Sequence, residues 1–140
     1  NSVLLALELM QAEHVSIKII GGDAAGNLSA TVGQEAVEQI ARCRADKAFI
    51  GVNGIDFTEG ITGIGYPQME IKQAMIKSAK ETYVLADSSK FGHIYLSHIC
   101  NIDQVTAVLT DGNLAAAFQE DARAHGFPVI WQTGAKKNEE

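Results

Sequence analysis

Short apolar runs alternate with longer amphipathic stretches along most of this 140-residue chain. Apolar runs of about four to seven residues between polar turns are typical of buried strands, whereas apolar positions three or four residues apart are typical of helices. The pattern predicts strands over residues 15–20, 47–53, 82–86, 105–110 and 127–131. It predicts helices over residues 3–10, 32–43, 67–80 and 113–125. The first helix is apolar almost throughout, so we expect it to be largely buried.

Predicted strands that alternate with predicted helices indicate an α/β fold, built on a mainly parallel sheet with helices on both faces. Residues 26–31 and 53–63 are interpreted as loops, because glycine and small polar residues dominate the first and glycine recurs in the second. Residues 96–102 fit neither pattern. The chain length favours a single domain over residues 1–134, followed by a polar tail over residues 135–140.

The chain is acidic, with a formal net charge of −6 at pH 7. A free-standing nucleic-acid-binding domain needs a basic face to neutralise phosphates, so this charge argues against that class. No apolar run approaches the ~20 residues of a membrane span, and we expect no membrane partner. The two cysteines, Cys43 and Cys100, form no disulfide framework and favour a cytoplasmic setting. The first residue is not methionine, which suggests a fragment of a longer protein.

The candidate chemistry follows two of the predicted strands, in the segments DKAFIGVNGID (residues 46–56) and LADSSKFG (residues 85–92). In open α/β sheets, ligands bind just beyond the carboxyl ends of strands. We therefore expect a small polar ligand among Asn53, Gly54, Asp56, Asp87, Ser88, Ser89 and Lys90. The Lys90 ammonium beside two serine hydroxyls suits an anionic ligand, although a lysine on an ordinary polar turn is the alternative.

Other candidates are weaker. Gly21 and Gly22 could present backbone amides to an anion or form an ordinary tight turn. The carboxylates of Asp56 and Glu59 could accept hydrogen bonds from sugar hydroxyls, act as a base or remain solvated. Glu70 could simply complement a helix dipole.

No metal or nucleotide site is indicated. The spacing of His93, His98 and Cys100 matches no zinc pattern. The chain also lacks the glycine-rich fingerprints of dinucleotide and P-loop sites, and we expect neither a metal nor a cofactor.

The order of these motifs resembles the C-terminal effector-sensing domain of DeoR-type bacterial transcriptional repressors. The resemblance rests on GGD, TVG, DKAFIGVNGIDFTEGIT, EIKQAMI and LADSSKFG, in that order and spacing, and it extends over residues 1–130. It implies a ribose-phosphate-isomerase-like fold that binds a phosphorylated sugar or polyol. It further implies that binding relieves repression by a separate N-terminal winged helix-turn-helix domain, the part of such repressors that contacts DNA.

The chain departs from the family pattern in two ways, and each departure leads to an expectation. The DNA-binding domain is absent, and so is the first part of the sensor, which in the family carries a D-x-G-[ST]-T loop of the phosphate pocket. The fold is therefore expected to be truncated at its N-terminus, with an incomplete site and uncovered apolar surface. Such surface favours association, so a homo-oligomer, a dimer or a tetramer, is expected.

Carried over residue by residue, the resemblance implies a set of ligand-binding positions and no catalytic residue. Lys90 is the residue expected to contact the phosphate or the adjacent oxygen. A sugar-phosphate isomerase or deaminase, and a truncated oligomerising remnant without a complete site, are the two alternatives to a sensor. The implied ligand-binding positions are Asn1, Gly21, Gly22, Gly51, Asn53, Gly54, Asp56, Thr62, Glu70, Lys72, Asp87, Ser89 and Lys90.

Overall fold

A parallel four-stranded sheet is the centre of the structure, a computed structural model that describes residues 1–26 and 29–131. Its strand order is β3-β6-β8-β9, and every neighbouring pair is parallel. The strands are β3 (Ala45–Gly51), β6 (Ala79–Leu85), β8 (Ala107–Thr110) and β9 (Val129–Trp131). Parallel strands need long crossover connections. The connections from β3 to β6 and from β8 to β9 each contain a helix, whereas the one from β6 to β8 contains a strand and two 3₁₀ turns.

Among the described residues, four helices accompany this sheet: α1 (Val3–Leu9), α2 (Gln34–Ala41), α3 (Tyr66–Ser78) and α4 (Ala116–Ala124). Helix α3 is the longest of them and has Pro67 in its first turn, where the missing N–H leaves no hydrogen bond unmade. The α/β fold, with its parallel sheet flanked by helices, confirms the predicted fold class.

Two smaller antiparallel units complete the described residues. Strands β1 (Asp23–Ala25) and β2 (Ala30–Val32) pair with each other. Strands β4 (Gly54–Asp56), β5 (Gly60–Gly63) and β7 (Ser97–Cys100) form a three-stranded sheet in the order β4-β5-β7. Short 3₁₀ turns lie at Ser88–Lys90 and Ile102–Gln104.

The main core lies between the parallel sheet and the three-stranded sheet. Val84 and Val108, from the two central strands, are fully buried and belong to the same apolar cluster as Ile55 and Ile61 from β4 and β5. Fully burying a side chain of this size stabilises the fold by about 1.5–3 kcal/mol. This cluster holds the antiparallel sheet near the carboxyl ends of the parallel strands.

A second, smaller cluster joins α2 to α3. It contains Ile40 of α2 and Ile71 and Ala74 of α3, while Met75 contacts both clusters. Helix α3 is therefore fixed on two sides, which sets the position of every side chain that it presents at the sheet edge.

The structure differs from the sequence-based expectations at residues 3–20. Residues 15–20 were expected to be a strand but form none, although Thr31 Oγ1 donates a hydrogen bond of 2.8 Å to the Ile20 carbonyl. An apolar run becomes a strand only where a neighbouring strand accepts its backbone hydrogen bonds. Helix α1 forms as predicted, but it was wrongly expected to be buried, because Ala6 is its only buried residue.

The glycine-rich segment 53–63 is another correction. Its composition predicts a loop, but the segment contains β4 and β5, and the ambiguous residues 96–102 contain β7. Within residues 26–31, β2 begins at Ala30, and residues 27–28 lie outside the described residues. The other predicted helices and strands are present, with ends shifted by up to three residues. The predicted domain end at residue 134 and the polar tail also lie outside the described residues.

Candidate functional site

An open cleft of about 700 Å³ lies where β3 and β6 end at the sheet edge. The carboxyl ends of these two strands form one wall, and the first half of α3 forms another. The polar lining consists of Asn1, Ser2, Asn53, Gln68, Lys72, Asp87 and Lys90. The remaining lining residues are Ala30, Phe49, Ile50, Gly51, Val52, Ile71, Met75, Leu85 and Ala86.

Two lysines give this cleft its positive charge. Lys72, on α3, is partly buried, and desolvation lowers the pKa of its ammonium group. Among the described residues, no carboxylate lies within 4.0 Å of the Lys72 ammonium nitrogen. The Lys90 ammonium lies 3.6 Å from an Asp87 carboxylate oxygen. The charged side chains of the lining are thus two lysines and one carboxylate. A desolvated ammonium without an acidic partner is stabilised when an anion enters.

The turn that carries Lys90 is held by two aspartates. Asp87 accepts hydrogen bonds from the Ser89 N–H, at 2.9 Å, and from the Ser89 hydroxyl. The hydroxyl hydrogen bond is the main reason that the pKa of Asp87 is lowered. Asp111, which follows β8, accepts from the Ser88 N–H at 3.3 Å. Ser88 and Ser89 thus connect the turn to the two aspartates. Of the three turn residues, Lys90 is the one that lines the cleft, together with Asp87.

Asn1 and Asn53 line the cleft from positions far apart in the chain. The Asn1 amide donates to the Thr31 carbonyl at 2.9 Å, which ties the first residue to β2. The backbone N–H of Asn53 donates to the Thr62 carbonyl at 3.3 Å. Asn53 lies two residues after the end of β3, and this hydrogen bond links it to β5.

The structure brings six of the sequence-predicted positions together in the cleft: Asn1, Gly51, Asn53, Lys72, Asp87 and Lys90. Seven others lie outside its lining: Gly21, Gly22, Gly54, Asp56, Thr62, Glu70 and Ser89. Ser88, a further candidate, is also outside.

Several of the outlying residues have structural partners of their own. Asp56 accepts from the N–H groups of Thr58 and Glu59, each at 2.8 Å, and so closes the β4–β5 turn. Thr62 is buried, and its hydroxyl oxygen accepts from the Tyr95 N–H at 3.0 Å.

The glycines and Glu70 outside the cleft also have identifiable surroundings. A Cβ atom on Gly54 would lie 2.2 Å from the His93 carbonyl oxygen, so close packing requires glycine there. The Gly21 N–H donates to Gln39 Oε1 at 3.0 Å, and Gly22 has a φ of +128°. Glu70 lines a separate groove between α2 and α3.

Sequence reasoning missed Gln68, Phe49 and Leu85. Gln68 lies four residues before Lys72 on α3, so helical spacing could have placed both on one face. Phe49 and Leu85 lie near the carboxyl ends of paired strands, but an apolar residue there looks the same in sequence as a core residue. No group of three or more potential metal-ligating side chains occurs among the described residues. None of the helices in the described part of the chain has the length and apolar character needed to cross a membrane.

Comparison with known proteins places these features in a family. The family described as "DeoR C terminal sensor domain" matches residues 1–112. The transcriptional regulator GlpR of Haloferax volcanii is 28% identical over 130 residues, which are 93% of this chain and 51% of that protein. The transcriptional repressor GlcR of Bacillus subtilis is 32% identical over 130 residues, or 93% of this chain and 50% of the repressor. The lactose phosphotransferase system repressor of Staphylococcus epidermidis is 29% identical over 103 residues, or 74% and 41%.

The chain thus spans about half the length, or less, of these three relatives. The match confirms the resemblance drawn from the order of the motifs, and the relatives' names describe regulators of transcription rather than enzymes. The chain belongs to the DeoR C-terminal sensor domain family.

Proposed function

We propose that the cleft binds a phosphorylated sugar or polyol, and that binding relieves repression by a DNA-binding domain elsewhere in the whole protein. The observation that carries this proposal is the pair of lysines, Lys72 and Lys90, which line one cleft together with a single carboxylate. A phosphate offers three acceptor oxygens for charge-assisted hydrogen bonds, which are about twice as strong as neutral ones.

The rest of the polar lining suits the other end of such a ligand. Asn53 and Gln68 have amide groups that both donate and accept, and Asp87 is an acceptor. Hydroxyl groups of a sugar or polyol pair with donors and acceptors of this kind. Phe49 and Leu85 supply apolar wall against which the carbon chain can pack.

The names of the relatives support the regulatory part of the proposal. One is a transcriptional repressor and another is a repressor of a lactose phosphotransferase system. We propose that the DNA contact of the whole protein lies outside this acidic chain. The whole protein has one arrangement that binds the operator and one that does not. The effector must bind more tightly to the second arrangement than to the first, since equal affinity would not shift the equilibrium between them. A cytoplasmic location and a homo-oligomer, dimer or tetramer, belong to the same proposal.

Thermal unfolding against a panel of phosphorylated sugars and polyols tests this function. A ligand that binds the native state raises the melting temperature by mass action, by an amount that grows with its concentration. We expect a shift with at least one sugar or polyol phosphate and a smaller one or none with inorganic phosphate and with the unphosphorylated sugar.

The other outcomes of this panel are informative. No shift with any phosphorylated compound would contradict the proposed effector for this chain and favour an incomplete site. Equal shifts with inorganic phosphate would mean that the lysines bind any phosphate and that the sugar is not recognised.

A further inference from the structure

Asp87 is the one carboxylate in the lining of the cleft, among the residues that the structure describes. A carboxylate is not expected beside a lysine that binds an anion, because it repels a phosphate that approaches the same lysine. The Lys90 ammonium lies 3.6 Å from one Asp87 oxygen, whereas no carboxylate of the described residues lies within 4.0 Å of the Lys72 ammonium. The cleft therefore combines one lysine that has an acidic partner with one that has none in this part of the chain.

The turn that follows Asp87 holds its carboxylate in place. One oxygen accepts hydrogen bonds from the Ser89 N–H, at 2.9 Å, and from the Ser89 hydroxyl. The other oxygen is the one that lies near Lys90. The hydrogen bond from the Ser89 hydroxyl is the main cause that lowers the pKa of Asp87, so this group stays charged at neutral pH.

This negative charge lies close enough to act on a bound phosphate. A phosphate oxygen that accepts a hydrogen bond from the Lys90 ammonium lies about 2.8 Å from its nitrogen. That oxygen is then no more than about 6.4 Å from the nearer carboxylate oxygen of Asp87. The Debye length is about 8 Å at physiological ionic strength, so salt screens the repulsion only in part. Asp87 thus opposes the binding of a bare phosphate group at Lys90.

Hydroxyl groups on the ligand change this balance. A charged carboxylate is an acceptor only, and its hydrogen bonds from hydroxyls are stronger than those between neutral groups. A sugar or polyol phosphate has hydroxyls on the carbons near its phosphate, whereas inorganic phosphate and simple alkyl phosphates have none on carbon. A ligand with such hydroxyls offsets the repulsion by donating to Asp87, and a ligand without them does not. Repulsion of competitors is a general route to specificity.

We propose that Asp87 makes the cleft select polyhydroxylated phosphate esters and reject inorganic phosphate and phosphate esters without hydroxyls. The inference rests on the proposed function and deepens it, because it defines the class of phosphate that the cleft accepts. Asp87 is then a specificity-determining residue, whereas Lys72 and Lys90 supply affinity for any phosphate group.

Isothermal titration calorimetry at constant ionic strength tests this role with the variant Asp87→Asn. An asparagine can still accept from the Ser89 N–H, so the turn should be kept. The probes are inorganic phosphate and ethyl phosphate, which is a phosphate ester with no hydroxyl on its carbon atoms. We expect Asp87→Asn to bind both probes at least ~10-fold more tightly than the wild type does.

A third probe measures selectivity directly. It is the phosphorylated sugar or polyol that gives the largest shift in the thermal panel. The ratio of the Kd of ethyl phosphate to the Kd of this compound should fall by at least ~10-fold in Asp87→Asn, because the variant no longer penalises the ester without hydroxyls.

Asp46→Asn is the matched control for Asp87→Asn. Asp46 also pairs with a lysine, Lys80, at 2.7 Å, and both residues lie outside the cleft lining. Its replacement changes the net charge of the chain by the same amount, and it should leave the Kd of every probe unchanged. Asp87→Ser, which also places a capping residue before the turn, repeats the test if Asp87→Asn has a lowered melting temperature.

Two results would overturn the role of Asp87. One is equal affinity of the wild type and the Asp87 variants for inorganic phosphate and ethyl phosphate, even where a sugar phosphate binds the wild type. The other is a gain of the same size in Asp46→Asn, since the effect would then come from net charge. The proposed function fails separately, if no phosphorylated sugar or polyol binds the wild type, and the two simple probes still decide whether Asp87 excludes a bare phosphate.

Discussion

At the scale of single residues, Lys72 is the clearest sign of function. Desolvation lowers the pKa of its ammonium group, and no carboxylate among the described residues compensates for that burial. The native state therefore holds this proton less tightly than the unfolded chain does, so the charged form of Lys72 lowers the stability of the free protein. A residue that is unfavourable for folding and lines a cleft is a candidate for a binding role.

This argument leads to a prediction for Lys72→Met. The substitution keeps the aliphatic part of the side chain and removes the buried charge. We expect the melting temperature of the free protein to stay the same or rise by a few degrees, whereas the shift caused by a phosphorylated sugar or polyol disappears. Thermal unfolding with and without the ligand measures both effects.

Lys77→Met is the matched control for Lys72→Met. Lys77 lies on the same helix but is exposed and lies outside the cleft lining, so the ligand-induced shift should survive its replacement. An unchanged shift in Lys72→Met would show that this lysine does not contact the anion.

At the scale of elements, the cleft depends on the turn at Ser88–Lys90, which is held from outside by Asp111. The pKa of Asp111 is lowered, first by the hydrogen bond from the Asn113 N–H and then by the one from the Ser88 N–H. A carboxylate with a lowered pKa in the native state stabilises the fold above its unfolded pKa of about 3.9, and this contribution is lost as the pH falls through the folded value.

The lowered pKa of Asp111 predicts how the stability of the Asp111→Asn variant depends on pH. At pH 7 the variant lacks the charged acceptor, so it should be less stable than the wild type. As the pH falls below the unfolded pKa of about 3.9 and through the lower folded value, Asp111 of the wild type becomes protonated, and the difference in melting temperature should shrink. Melting curves at several pH values measure it.

Asp46→Asn serves as the control for the Asp111 prediction. Asp46 forms an exposed ion pair of 2.7 Å with Lys80, and such pairs contribute little to stability. Its replacement should change the melting temperature only slightly at any pH. A difference for Asp111→Asn that stays constant down to pH 3 would contradict the role assigned to its charge.

At the scale of the whole molecule, apolar surface is exposed in two places. One is around the end of β5 and the start of β7, where the exposed residues are Ile64, Tyr66, Ile94, Tyr95 and Leu96. The other is α1, where Leu4, Leu5 and Leu7 are each more than half exposed, near the outer strand β3 of the parallel sheet. Nothing in the described structure indicates what covers α1, although its exposure accords with the expectation of uncovered apolar surface.

The exposure of α1 predicts the behaviour of the double variant Leu4→Ser with Leu7→Ser. Neither side chain is buried in this chain, so the melting temperature should change by only a few degrees. Binding of an apolar fluorescent dye such as ANS should fall, because part of the exposed apolar surface is removed. A large drop in melting temperature would instead show that α1 packs against another copy or segment in solution.

Much of the fold could be predicted because its signals are local. The strands β3, β6 and β8 and the helices α2, α3 and α4 all have the expected apolar spacing over their own residues. The Asp87–Lys90 turn follows β6 as predicted, because a strand that ends in small polar residues can be recognised without knowledge of its neighbours.

The errors share one physical cause. Residues 15–20 have strand composition but no partner strand, α1 has the composition of a buried helix but little to pack against, and residues 53–63 form a hairpin that pairs with the distant β7. In each case the outcome depends on residues far along the chain. The cleft shows the same limit, because Gln68 and Phe49 have no local signal that separates a lining residue from a helix-surface or core residue.

The sequence by itself determined the fold class, the family and the lysine-bearing turn after β6, because periodicity and motif order are properties of neighbouring residues. Only the tertiary structure decided that Lys72 and Lys90 line the same cleft and that Asp56 and Thr62 are engaged by the β4–β5 turn and by Tyr95. It also decided that Ile64 and Leu96 flank the paired residues Gly63 and Ser97 at one end of the β5–β7 ladder. The reason is that burial, desolvation and contact between distant residues exist only after the chain has folded.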